Sequence, residues 1–184
     1  MSAVARAALA LVVASGLTAC SAPAPASPPI GTAAISTPAP QTPMTVLSPQ
    51  VQAGLAAVQR RLGELGLRLE QAVPEYRPAE PDVVQSVPRA VFRVTQADPN
   101  AGWVVIYDLG QPDAAIETGR AFARYLGSGF GQTNYPRDAQ FALNQVGGAL
   151  VFTWWSPGLS ADPDGARAAF EAMQLAGQSL PIVR

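Results

Sequence analysis

The most constraining feature of this sequence is the stretch WVVIYDL, residues 103–109. It is rich in β-branched and aromatic residues, which favour a β-strand. Because successive strand side chains point to opposite faces, one face receives Val104 and Ile106 and the other receives Trp103, Val105, Tyr107 and Leu109. A strand with one face in water would alternate with polar residues, and this one does not. We therefore expect other parts of the molecule to cover both faces of its sheet.

The residues around this strand predict a hairpin followed by a helix. Residues 90–96, AVFRVTQ, form another β-rich stretch, and the turn-forming residues ADPNAG separate the two strands. Pro112 and Asp113 then suit the first turn of a helix, because proline fits its first position and a carboxylate interacts favourably with the positive end of the helix dipole. Gly127 or Gly129 is expected to end that helix.

The same order of elements occurs again about 50 residues later. Residues 139–145 and 149–155 predict a second hairpin, and Asp162 is expected to cap a second helix. We therefore predict an α+β domain in which two ββα units form one four-stranded antiparallel sheet with two helices on one face. The order of elements is a circular permutation of the ferredoxin-like arrangement, an analogy that carries no function.

Another helix is predicted ahead of the first hairpin, from Ser48-Pro49 to about Ala72. Its apolar residues recur at spacings of three and four: Val51, Leu55, Val58, Leu62, Leu65 and Leu69. Three glycines weaken it by up to about 1 kcal/mol each: Gly54, Gly63 and Gly66. The stripe could form a coiled-coil seam, but three heptads are barely enough. We favour packing on the second face of the sheet, which a second copy of the protein could cover instead.

The first 20 residues have the features of an export signal that ends at the single cysteine of the chain. Arg6 precedes an apolar run, residues 7–17, which is shorter than the roughly 20 apolar residues that span a bilayer. The run ends in LTAC, with Leu17 three residues before Cys20 and Ala19 directly before it. This motif resembles the lipobox of bacterial lipoproteins. The alternative is a buried cysteine in an N-terminal helix, but such a helix would lack an amphipathic face and would soon meet proline.

The lipobox resemblance implies a defined chemistry at Cys20. The sulfur of this residue would receive a diacylglyceryl group, the signal peptide of residues 1–19 would be removed, and the new amino terminus is often acylated as well. Since each buried CH₂ contributes about 0.8 kcal/mol, two or three acyl chains give stable anchoring. The resemblance therefore implies a lipid-anchored protein on the extracytoplasmic face of the cell membrane or envelope, with membrane lipid as its partner. Ser21 leaves both the inner and the outer membrane open.

Residues 20–47 are rich in Ala, Pro, Ser and Thr and carry no charge. They include too few large apolar residues to offset chain entropy, so we predict a disordered tether. A proline-rich chain of this length reaches on the order of 80 Å. A simple spacer is the favoured interpretation, and a glycosylated or wall-threading stalk and a docking ligand are alternatives. The predicted domains are thus the signal at 1–19, the tether at 20–47 and a single α+β domain at 48–184.

The composition excludes most common catalytic chemistry. The chain has no histidine, all 12 basic residues are arginines, and its only thiol is assigned to the anchor. Ser–His and Cys–His nucleophiles, lysine Schiff bases and the usual zinc sites are therefore excluded, and we expect neither a cofactor nor a metal. A net charge of −1 without a basic stripe gives no support for nucleic-acid binding. A carboxylate pair remains conceivable, with four candidates: Glu75, Glu80, Asp108 and Asp138.

A ligand surface has somewhat more support. Trp154 and Trp155 are neighbours on a strand, so their rings point to opposite faces and one of them could be exposed. Tyr135 and Arg137 lie in the loop FGQTNYPRD and could present an aromatic face and a guanidinium group. These four residues form the predicted ligand surface, for a carbohydrate or an envelope protein. The alternative buries both tryptophans, one under each helical layer.

Three functions are consistent with these features. The preferred one is a non-catalytic binding or assembly module of the cell envelope. The second is an accessory substrate-binding component of an envelope transport or sugar-processing system. A carboxylate-dependent hydrolase is the third, and only the four candidate carboxylates support it.

Overall fold

A computed structural model describes residues 46–72, 80–95 and 102–183 of the chain. The predicted signal peptide, Cys20 and nearly all of the predicted tether lie outside these residues. The described part is an α+β fold built on an open, antiparallel six-stranded sheet with the strand order β1-β2-β3-β5-β4-β6. The strands are β1 (Arg68–Gln71), β2 (Arg89–Thr95), β3 (Trp103–Asp108), β4 (Gln140–Val146), β5 (Ala149–Trp155) and β6 (Gln178–Ser179).

Five α-helices accompany the sheet in the described residues. They are α1 (Pro49–Gly63), α2 (Asp82–Gln85), α3 (Pro112–Gly127), α4 (Gly129–Gln132) and α5 (Pro163–Gln174). A short 3₁₀ turn, Pro157–Leu159, follows β5. Side-chain caps start three of the helices as their sequences suggest: Ser48 accepts a hydrogen bond from the Val51 amide, Ser128 from Gly131 and Asp162 from Gly165.

Helices cover the sheet on both faces, so the core has two parts. On one face, α1 and α5 bury Val104 and Ile106 of β3 together with Val151 of β5. On the other face, α3 packs with Val105 and Tyr107 of the same central strand. The expectation that β3 is buried on both sides is therefore confirmed. The helix that begins at Pro49 covers the second face, as preferred in the sequence analysis.

The first helix is shorter than predicted, because the apolar spacing on which the prediction rests continues beyond the helix into a strand. α1 ends at Gly63, and Arg68–Gln71 form the edge strand β1 instead of a last helical turn. Gly66 has a positive φ of 71°, its amide bonds to the Gly63 carbonyl, and the Leu67 amide bonds to Leu62. This is a Schellman motif, in which a left-handed glycine ends a helix. The prediction of a helix to Ala72 is wrong, since Gly66 is a stop signal.

Several details of the predicted sheet are also wrong. The described sheet has six strands rather than four, because short edge strands flank the two predicted hairpins. The hairpin–helix order does occur twice, but α3 and α5 lie on opposite faces. A ferredoxin-like sheet carries both helices on one face, so the permuted ferredoxin-like arrangement does not describe this fold. The order of elements along the chain does not encode which face a connecting helix covers.

Candidate functional site

The four residues of the predicted ligand surface meet at one end of the sheet. β3 starts and β5 ends there, since Trp103 pairs with Trp154. β4 also starts there, directly after the loop that carries Tyr135 and Arg137. Loops at the end of a sheet are common places for ligand contacts. The predicted residues are thus neighbours in space, although they do not share one surface.

The structure buries both tryptophans of the predicted ligand surface. Trp154 is 8% exposed within the α3 side of the core, and Trp155 is 4% exposed on the α1–α5 side. Tyr135 is also buried, and its ring packs edge-on against that of Trp154 at a centroid distance of 5.5 Å. Only Arg137 is exposed. The expectation of an exposed ring at Trp154 or Trp155 is therefore corrected: each supplies packing to one layer, as the alternative had it.

The sequence reasoning missed Trp103, which is only half-buried. Its cross-strand partner is Arg93, whose guanidinium carbon lies 4.6 Å from the centre of the indole ring. This cation–π contact occupies part of the ring. Only the register of the β2–β3 pair, which places Arg93 opposite Trp103, could have identified this contact. That register cannot be read from the sequences of the two strands alone.

A groove lies between α5 and the end of the β4–β5 hairpin, and we call it the α5 groove. Its volume is about 450 Å³. Trp155 and Phe170 form its apolar part, with their ring centres 6.2 Å apart. Polar side chains surround them, and Asp164 binds Arg167 at 2.8 Å along the helix. The lining residues are Gln140, Trp155, Pro157, Pro163, Asp164, Arg167, Phe170, Glu171 and Gln174.

A second groove lies on the other face of the sheet at the same end, and we call it the α4 groove. It has a volume of about 580 Å³ and includes Tyr135, Arg137 and Phe141. The neighbouring Phe130 is 76% exposed, and its ring contacts Tyr125 at a centroid distance of 6.3 Å. The other lining residues are Gly129, Gln132, Thr133, Pro136 and Ala139.

Asp138 lies between the two grooves and fixes the loop that follows β5. Its carboxylate accepts a hydrogen bond of 2.6 Å from the Ser156 hydroxyl and another from the Gly158 amide. These bonds favour the charged form, so they hold the pKa of Asp138 below its ordinary value. A general acid needs a raised pKa. The geometry therefore suits a structural tie between two loops better than an acid catalyst.

The other candidate carboxylates do not join Asp138. Asp108 pairs with Ala149, at the opposite end of β5 from Trp155. Six residue steps along the strand place these two ends about 20 Å apart. The side chain of Glu80 is buried near that opposite end, where it forms an ion pair with Arg89 and accepts a hydrogen bond from Tyr107. Burial raises the pKa of Tyr107 far above its ordinary value, so its hydroxyl stays protonated. Glu75 lies outside the described residues.

No group of three or more carboxylate, cysteine or histidine side chains in the described ranges is placed to hold a metal ion. None of the helices in those ranges has the length and apolar character needed to cross a bilayer. No protein family, curated protein or solved structure matches the chain.

Proposed function

We propose that this protein is a lipid-anchored, extracytoplasmic binding or assembly module of a bacterial cell envelope. The observation that carries the proposal is the motif Leu17-Thr18-Ala19-Cys20 after a short apolar run and a single arginine. In this reading residues 1–19 are a signal peptide that is removed. The thioether at Cys20 holds the acyl chains, and residues 20–47 form the tether to the folded domain. Two or more acyl chains make such an anchor stable.

The folded domain supports a binding role without catalysis. It has two open grooves at one end of the sheet, where loops converge. The candidate carboxylates Asp108 and Asp138 are too far apart to act on one bond, since glycosidase pairs are at most about 10 Å apart. The chain also has no histidine or lysine to serve as a base. These observations favour a module that binds, presents or assembles over a hydrolase.

An accessory role in envelope transport or sugar processing is the second candidate. The α5 groove favours it, because a mixed apolar and polar groove of about 450 Å³ has the size of a small-molecule site. Association through the sheet itself has less support. Helices α1 and α5 cover one face and α3 covers the other, so the central strands offer no open apolar surface.

The anchor is tested by changing the thiol. The full-length chain and its Cys20→Ser variant would be expressed in a bacterium fed an alkyne-bearing fatty acid. The wild-type chain should take up the label, remain with membranes after a high-salt wash and begin at an acylated Cys20 by mass spectrometry. Ser21→Ala, at the neighbouring position, should behave like wild type. Membrane retention of Cys20→Ser, or an intact Met1 terminus in the mature wild-type protein, would overturn the proposal.

A further inference from the structure

One residue that lines the α5 groove carries a buried donor without an acceptor among the described residues. Trp155 lines the groove, and its indole Nε1 has no hydrogen-bond partner among the described residues. Buried indole N–H groups usually find an acceptor, because leaving one unpaired costs the desolvation of the group. An unpaired indole N–H on a residue that lines a groove is therefore a feature that a ligand would explain.

Two more buried polar atoms without a partner among the described residues lie on the same face of the sheet as Trp155. Thr153 is two residues from Trp155, so both side chains point toward α5. Its Oγ1 lacks a partner within the described ranges, and so does Oδ1 of Asn144 on the adjacent strand. The amide nitrogen of Asn144 donates to the Met173 carbonyl of α5 at 3.2 Å. The groove thus opens at one end of a row of buried polar groups beneath α5.

The rim of the groove offers further hydrogen-bonding groups. Glu171 and Gln174 make no side-chain hydrogen bond or ion pair within the described part of the chain, and Arg167 is bound to Asp164. The lining carries one guanidinium and two carboxylates, Asp164 and Glu171, a charge balance that disfavours an anionic ligand. Trp155 and Phe170 are only 4% and 5% exposed, so neither ring offers a free face for stacking or for a cation. Hydroxyl groups are the ligand chemistry that this combination of amide, carboxylate and indole groups fits.

We propose that the α5 groove binds a neutral polyhydroxylated ligand, such as a sugar unit. Its hydroxyls donate to the carboxylate of Glu171, exchange hydrogen bonds with the amides of Gln140 and Gln174, and accept from Nε1 of Trp155. Because Nε1 is closed off from solvent, binding includes a small shift of the indole toward the groove. The inference rests on the binding role proposed above and is independent of the lipid anchor.

The test is a titration of the full-length chain with three defined probes, cellobiose, N,N′-diacetylchitobiose and glucuronic acid. One of the neutral disaccharides should give saturable heat by calorimetry with a Kd of about 1 mM, together with a change in tryptophan fluorescence. Glu171→Ala and Gln174→Ala should each weaken binding about tenfold, the loss of one hydrogen bond. Glu117→Ala removes an exposed glutamate from α3, on the other face of the sheet, and should leave binding unchanged.

Trp155→Phe assigns the fluorescence signal. This variant should lose the fluorescence change while still folding, as judged by circular dichroism. The proposal is overturned if neither disaccharide binds at up to about 10 mM, if both rim variants bind like wild type, or if glucuronic acid binds more tightly. It is also overturned if the fluorescence change survives in Trp155→Phe. Cys20→Ser should bind the sugar like wild type, so failure here and failure of the anchor are distinguishable.

Discussion

Gly119 in the middle of α3 allows the helix to approach the sheet closely, and Gly119→Ala tests that approach. A Cβ atom at this position would lie 2.2 Å from Cδ1 of Leu180 and 2.9 Å from Cδ1 of Leu150. Both leucines are buried in the α3 side of the core, so their side chains have little room to turn away. The Leu180 backbone is also held, because its amide donates to the Leu143 carbonyl at 2.9 Å.

Two opposing effects set the size of the change. Overpacking a filled core costs about 1–3 kcal/mol, and the upper part of that range applies because 2.2 Å is far below contact distance. Replacing glycine by alanine inside a helix stabilises by about 1 kcal/mol. We therefore expect Gly119→Ala to lower the free energy of unfolding by about 1–2 kcal/mol. Urea unfolding followed by tryptophan fluorescence measures it, with an unchanged m-value.

Two further variants isolate the cause. Gly63→Ala is the matched control, since a Cβ there meets no atom within 4 Å at the end of α1, and it should be neutral or slightly stabilising. In a Leu180→Ala background the nearest obstacle is removed, so adding Gly119→Ala should cost much less than it does in wild type. The reasoning is refuted if Gly119→Ala is as stable as wild type, or if its cost is the same in both backgrounds.

Three other predictions follow from the polar contacts and the helix end. The pKa of Asp138 is depressed on folding, so its carboxylate stabilises the fold above about pH 4 and this contribution is lost as the pH falls through the folded pKa. Asp138→Asn should therefore be less stable than wild type at pH 7, and the difference between their urea midpoints should shrink as the pH is lowered below about 4. Glu80→Gln leaves the largely buried guanidinium of Arg89 without its carboxylate and should lower the free energy of unfolding by about 3 kcal/mol. The double variant with Tyr107→Phe should lose less stability than the sum of the two single variants, and strict additivity would contradict the hydrogen bond between Tyr107 and Glu80. Gly66→Ala forces a residue with a Cβ into a φ of 71° and should lower the unfolding free energy by about 1 kcal/mol, whereas a neutral result would disprove the Schellman end of α1.

The helix caps and hairpins were predictable because local chemistry decides them. Asp162 precedes a proline at the first helical position, and its carboxylate does accept the Gly165 amide at 3.0 Å. The strand β5 has the predicted bounds of Ala149–Trp155. Such features depend on a few consecutive residues, so a single sequence contains all the information needed to find them.

The end of α1 shows a limit of periodicity. Leu69 continues the spacing of the helical stripe, and its side chain does pack against the α1–α5 side of the core. It does so from a strand, because Gly66 reverses the chain and β1 returns along the sheet. Gly54 shows a second limit. It counts as a weak point in the helix, yet a Cβ there would lie 2.9 Å from Ile106, so glycine permits the close packing of α1.

The candidate site could be predicted only in part, because contacts between distant segments decide which of its side chains are exposed. The loop residues Tyr135 and Arg137 do border a groove, as expected of a loop at the end of a sheet. Whether a tryptophan ring is exposed depends on which other side chains pack against it. Burial of Trp154 depends on Tyr135, and burial of Trp155 involves Phe170 from a helix that follows later in the chain. No local pattern reports those contacts.

By itself, the sequence determined that β3 is an interior strand covered on both faces, that two hairpins each precede a helix with proline in its first turn, and that Cys20 follows an apolar run in a lipobox-like motif. These are properties of neighbouring residues. Only the tertiary structure decided that α1 and α5 share one face while α3 takes the other, that edge strands extend the sheet, and that α5 forms one wall of a groove beside Trp155. Those outcomes depend on contacts between segments far apart in the chain, which compete for the same apolar surface.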